Sequence, residues 1–298
     1  CNNFFLFGSK GKFKTQHIMK KAALVISLLF LARFAFPQAA VYVVKGGKGN
    51  PIIFLPGFTA PGSVWDETIK HLDGSYESHI VSYAGFNGLQ PIGTPWYDAI
   101  KQQLSDYIKN EQLSNVTIIG HSMGGNLAID LAAEHPAQVT GLILVESIPC
   151  MRELMMPGVA ASSLQYNSPY NNKILAMPDE DFKKMATGMS QNMTTVPSKV
   201  ELLTKWSINA DRKTYVYGYT DLLKLDLRDK LSNIGTPTLI AGASFPSKEM
   251  VSANYEKQYV NLKHKEIVIA EASKHFIMFD QPEWLYAQVN KYLKQHVR

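Results

Sequence analysis

Residues 116 to 134 constrain the fold of this chain more than any other stretch. The β-branched run Val116-Thr117-Ile118-Ile119 enters Gly120-His121-Ser122-Met123-Gly124-Gly125, and a helix-forming run over 126–134 leaves it. Strand, Gly-x-Ser-x-Gly turn and helix in that order describe a nucleophile elbow, in which a serine hydroxyl is lifted out of the end of a sheet. The turn strains the serine backbone and folds helix back on strand, so a side chain at position 120 or 124 would collide. The motif alone is frequent by chance, and the competing reading is a glycine-rich structural turn. The predicted strand before it and helix after it favour the catalytic reading.

The rest of the chain alternates in the same manner. Residues 52–55, 78–83, 142–145, 237–242 and 266–270 read as strands, and 41–44 as a further one. Helices are predicted over about 63–72, 96–111, 248–259 and 282–294; in the second, Ile100, Leu104, Tyr107 and Ile108 share one face. Unbroken apolar strands between helices predict an α/β fold, a mostly parallel sheet with helices on both faces. From 149 to 233 the pattern turns helical, with no buried strand, and seven of the eleven methionines fall there. This stretch is expected to be a helical cap inserted between two core segments, 41–148 and 234–298.

The formal charge of +5 invites a nucleic-acid reading, but its distribution opposes one. Residues 1–40 hold Lys10, Lys12, Lys14, Lys20, Lys21 and Arg33 with no acid, which leaves 24 basic and 25 acidic residues beyond them. No basic patch for a polyanion remains. The segment itself reads as a leader. Met19-Lys20-Lys21 is a short positive region, 22–31 an apolar run of signal-peptide length, and small residues follow near Ala39-Ala40. Translation is expected to start at Met19 and the product to be exported, periplasmic or secreted, touching the membrane only in transit. A retained N-terminal membrane anchor is the alternative. Beyond the leader Cys150 is the only cysteine, so no intramolecular disulfide is expected there, and a small buried apolar role suits it better than a reactive one.

Three motifs in order then resemble α/β-hydrolase-fold enzymes, over roughly residue 41 to the C-terminus. They are Phe54-Leu55-Pro56-Gly57-Phe58, the elbow, and Lys274-His275-Phe276 ahead of Asp280-Gln281-Pro282-Glu283. The resemblance implies Ser122 as nucleophile, His275 as its base, and the backbone amides of Phe58 and Met123 as an oxyanion hole. His121, inside the elbow, is expected to be a neighbour in the backbone frame rather than a second base.

The acid is where the chain departs from the family. Gly242-Ala243-Ser244-Phe245-Pro246 places Phe245 where the family more often has aspartate, and phenylalanine cannot accept the imidazole N–H. Glu146 is the expected substitute. It ends the strand after the elbow helix, on the same carboxyl edge of the sheet, and Glu146-Ser147-Ile148-Pro149 locally resembles haloalkane dehalogenases, although Ser122 argues against dehalogenation. Glu249, Glu271 and Asp226 are weaker candidates. The function expected is hydrolysis of an ester-type bond in a small hydrophobic molecule through an acyl-enzyme. No metal or organic cofactor is implied, since there is no His/Cys cluster at ligand spacing and no phosphate-binding glycine loop. Thioester, lactone or carbon–carbon bond hydrolysis on the same residues, and a non-catalytic binding protein of this fold, are the rivals. The sequence does not set the oligomeric state.

Overall fold

The computed structural model describes residues 38–297, and the leader expected over residues 1–37 lies outside them. Seven strands form one sheet: β1 (Val41–Gly47), β2 (Asn50–Leu55), β3 (Tyr76–Tyr83), β4 (Val116–His121), β5 (Val139–Val145), β6 (Thr238–Ala243) and β7 (Lys265–Ala270). Their order is β1-β3-β2-β4-β5-β6-β7, with β1 antiparallel to β3 and the other pairs parallel.

Period-two alternation in these strands builds two cores. Ile53, Leu55, Ile118, Leu142, Leu144 and Ile240 point to one face. There they meet α2 (Trp96–Asn110), through Ile100 and Leu104, and α3 (Met123–Glu134), through Leu127 and Leu131. Ile52, Phe54, Ile119, Ile143, Val145 and Leu239 point to the other face. They pack with Trp65, from the 3₁₀ turn before α1 (Asp66–Lys70), and with Leu285, Val289 and Leu293 of α11 (Pro282–His296). Where helices cover both faces the side chains on both sides of the strand are buried, which is why 52–55 of β2 and 142–145 of β5 appear in the sequence as unbroken apolar runs.

Between β5 and β6 the described residues hold helices and no strand. These helices are α4 (Met151–Met155), α5 (Pro169–Leu175), α6 (Asp179–Gln191), α7 (Pro197–Ile208) and α8 (Arg212–Lys224). Local chemistry starts several of them. Ser168 Oγ accepts the Asn171 amide at 3.2 Å ahead of Pro169, and Asp211 Oδ1 accepts the Thr214 amide at 2.7 Å. Asp179, Glu180 and Asp181 occupy the first turn of α6, where their charge suits the helix dipole. After β6 come α9 (Lys248–Gln258), β7, the single turn α10 (Ile277–Asp280) and α11. No helix among the described residues is long and apolar enough to cross a membrane.

Candidate active site

Ser122 stands between β4 and α3 with φ 54° and ψ −120°, a backbone conformation that costs energy for any residue with a Cβ. Packing enforces it. The Ser122 amide donates to Val145 O at 2.9 Å, tying the turn to β5. A Cβ at Gly120 would lie 2.3 Å from Gly124 O, and one at Gly124 would lie 2.2 Å from Leu55 O, so helix and strand meet only because both positions are glycine.

His275 is carried by the loop from β7 into α10. Its Nδ1 lies 3.2 Å from Glu146 Oε2. Glu146 directly follows β5, also at positive φ (47°), and its own amide donates to Ala241 O at 2.8 Å. The other carboxylate oxygen, Oε1, accepts the Ala243 amide at 2.6 Å and the Tyr255 hydroxyl at 2.9 Å. Burial pushes the Glu146 carboxyl up, but His275, the Ala243 amide and Tyr255 outweigh it and hold it below the ordinary carboxylate range. Tyr255 is raised well above a free phenol by burial and by the Glu146 charge, so it stays a donor.

The structure brings Ser122, His275 and Glu146 to one place and leaves the other carboxylates elsewhere. Asp226 pairs with Arg228 Nη2 at 2.6 Å, Glu271 pairs with Lys248 at 2.7 Å, and Glu249 is exposed at the start of α9. Phe245 is 51% exposed beyond β6, with Lys274 Nζ 5.3 Å from its ring centre. The end of β6 thus contributes an amide, from Ala243, to a carboxylate supplied by β5. Sequence reasoning missed Tyr255. Its one trace is Gly242, where a Cβ would fall 2.2 Å from the Tyr255 ring.

Phe58 follows β2, and a Cβ built on the preceding Gly57 would lie 3.3 Å from Ser122 Cβ. Met123 opens α3, where the first N–H groups have no acceptor within the helix. Both amides therefore belong to backbone that adjoins the serine. The Phe58 ring is packed edge-on against Phe86 and Trp96, with centroids 4.9 and 5.8 Å away.

His121 is fully buried beneath His275, their ring centroids 4.7 Å apart. Burial, and the neighbouring imidazole, push its pKa well below the ordinary value. Its Nε2 lies 2.9 Å from the His275 carbonyl oxygen, which only accepts, so Nε2 carries the proton and Nδ1 is left bare. It is a strut for the His275 backbone. An unfolded histidine titrates near 6.5, so below that pH the unfolded chain takes up a proton that folded His121 refuses. Its contribution to stability is complete above about pH 6.5 and is lost as pH falls below it. Burial lowers His79 and His135 in the same direction. The urea midpoint is expected to drop between pH 7.5 and 5.5, and to drop less in His121→Gln; equal drops in both proteins would reject this role for His121.

Two cavities flank the serine, and Ser122 and His275 line both. One, of about 390 Å³, runs under α4, α6, α7 and α8 and is walled by Phe58, Met189, Met193, Leu203, Tyr219 and Leu222 among others. The second, of about 320 Å³, lies beside Glu146, Asn126, Ser147, Phe245, Met250 and Tyr255. Met151 and Met155 of α4 line both. No Lys, Arg or Asp lines either cavity, and Glu146 is the one carboxylate. No cluster of His, Cys, Asp and Glu among the described residues could hold a metal ion.

The family described as the Alpha/beta hydrolase family matches residues 52–288. A pimeloyl-[acyl-carrier protein] methyl ester esterase of Legionella pneumophila (strain Lens) is 26% identical over 259 residues, covering 85% of this chain and 99% of the relative. An esterase from Exiguobacterium antarcticum shares the fold, with TM-score 0.71 and 21% identity over 87% of this chain and all of that one. The enol-lactonase from Burkholderia xenovorans LB400 also superposes, with TM-score 0.69 and 13% identity over 85% of this chain and 96% of its own.

Proposed function

The chain belongs to the alpha/beta hydrolase family, and from that premise we propose that it is a serine hydrolase cleaving an ester bond of a small hydrophobic substrate through an acyl-enzyme. The observation that carries this reading is the Glu146–His275 bond at cavities that Ser122 also lines. In the proposed cycle His275 takes the Ser122 proton as Oγ attacks the ester carbonyl. The Phe58 and Met123 amides hold the oxyanion. His275 then gives the proton to the departing alcohol and afterwards activates the water that frees the acid. Glu146 fixes the ring tautomer and offsets its positive charge while the proton is held.

The relative from Legionella pneumophila, named for a methyl ester, supports ester chemistry. The lining of the two cavities supports a hydrophobic substrate, with the helical stretch from α4 to α8 acting as the cap that selects it. Hydrolysis measured across p-nitrophenyl esters of increasing chain length, thioesters and lactones tests the bond type. Turnover should be highest on neutral esters, and failure on every ester would leave the non-catalytic reading. The lining also makes a sharper forecast. An anionic group inside either cavity meets no lysine or arginine, and an unpaired buried ion costs several kcal/mol. The kcat/KM for p-nitrophenyl hexanoate should therefore exceed that for mono-p-nitrophenyl adipate by about 100-fold or more. Similar values would remove the hydrophobic substrate from the reading. Export is part of the same proposal, and an intact N-terminus at Met19 on protein recovered outside the cytoplasm would contradict a cleaved leader.

A further inference from the structure

His275 is held from the cap as well as from the sheet. The backbone amide before it, Lys274 N, donates to Asp280 Oδ2 at 2.7 Å. The other oxygen of Asp280 accepts the Thr194 hydroxyl at 2.6 Å and the Thr195 amide at 2.9 Å. The amide after His275, that of Phe276, donates to Met193 O at 2.9 Å, and Lys274 Nζ reaches Gln191 O at 2.7 Å. Thr194 is buried, and its hydroxyl oxygen also accepts the Val196 amide at 3.1 Å where α7 begins.

The turn between α6 and α7 therefore does two things at once. Ser190 at the end of α6, with Asn192 and Met193, lines the 390 Å³ cavity, while the carbonyls of Gln191 and Met193 bind Lys274 and Phe276 on either side of His275, and Thr194 and Thr195 bind Asp280. Met193 serves both ends, lining the cavity and accepting the Phe276 amide through its carbonyl. A group that fills the cavity presses on the same segment that fixes the base. Asp280 is the junction, because one carboxylate bridges the Lys274 amide to the Thr194 hydroxyl and the Thr195 amide, and charge-assisted bonds of this kind are stronger than neutral ones.

We propose that Asp280 is a positioning residue that links occupancy of the apolar cavity to the placement of His275. The inference rests on the serine-hydrolase reading of the site, and it deepens it. A substrate tail that packs against Met193 orders the loop of the base, so part of its binding energy appears in kcat rather than in KM. A short acyl group that does not reach Met193 gains none of this.

The test compares kcat on p-nitrophenyl hexanoate and p-nitrophenyl acetate. In the wild type the hexanoate should react faster. Thr194→Val and Asp280→Asn should lower the hexanoate-to-acetate kcat ratio by about tenfold, and Thr194→Ser, which keeps the hydroxyl, should retain it. An equal loss on both esters, or a ratio within twofold of wild type in both variants, overturns the proposal. A second readout does not depend on turnover. In Ser122→Ala protein, saturating p-nitrophenyl hexanoate should slow amide exchange across residues 271–280, and Thr194→Val should abolish that protection. Absence of protection with bound ester overturns the link, whereas protection without wild-type hydrolysis of either ester would fault the hydrolase reading alone.

Discussion

Ser122→Ala is expected to lower kcat on a neutral p-nitrophenyl ester by about 10⁶-fold while leaving the protein folded. The size follows from the chemistry proposed, in which every covalent step passes through Oγ and a serine–base pair acts as a unit. The remaining rate would come from the oxyanion amides of Phe58 and Met123, which the substitution leaves in place. Folding should survive because alanine carries the same Cβ at the φ of 54° that serine already tolerates, and the amide bond to Val145 O is backbone. A fluorophosphonate should label the wild type at Ser122 and leave the variant unlabelled. Unchanged turnover in the variant would place the chemistry elsewhere. Gly124→Ala makes the contrast: its Cβ would sit 2.2 Å from Leu55 O and 2.6 Å from Pro56 O, so it should damage the elbow itself. A melting measurement separates the two outcomes.

The elements that were legible in the sequence are those whose pattern comes from burial. The strands at 52–55 and 142–145 are unbroken apolar runs because helices cover both faces, and each lies inside an observed strand, as does the mixed run 78–83. Their ends were less legible. β3 begins at Tyr76 rather than 78 because it is paired on both sides, Glu77 opposite Gly47 and Tyr76 opposite Asn50, and pairing extends a strand past its apolar core. α3 begins at Met123, three residues before the run that predicts it. Gly124 and Gly125 are poor helix formers that this helix needs, since a Cβ at Gly125 would lie 2.4 Å from Ser147 Oγ.

The site divides in the same way. Ser122 and His275 sit in motifs, and Glu146 is the candidate acid because a strand end on the same edge has few places to put a carboxylate. What surrounds Glu146 has no local signature. The Ala243 amide is backbone, and Tyr255 is 109 positions away on α9. The contacts of Asp280 with the segment between α6 and α7 share that limit: Thr194 is 86 positions from it, and only the fold brings the two together.

Glu146→Gln is the second large effect expected, a fall in kcat of about 10⁴-fold with KM changed little. Glutamine keeps the shape, so an intact fold is expected, but it presents one oxygen and one NH₂ group. If the oxygen stays on the Ala243 amide and Tyr255 hydroxyl, the NH₂ group faces His275 Nδ1 and favours the wrong tautomer, with no proton on Nδ1 and none of the lone pair on Nε2 that a base needs. If the group turns over, NH₂ faces the Ala243 amide, which can only donate, and a buried repulsion replaces that bond. Either way the charge that offsets the imidazolium is gone. Tyr255→Phe removes one of the two donors to Oε1 and leaves the carboxylate and its bond to His275, so a loss of about tenfold is expected from a single charge-assisted bond. The ordering is the discriminating result. Near-normal turnover in Glu146→Gln would return the acid to an open position and reduce Glu146 to a buried carboxylate that joins β5 to β6. A loss in Tyr255→Phe as deep as in Glu146→Gln would instead show that the network fails as packing rather than as electrostatics.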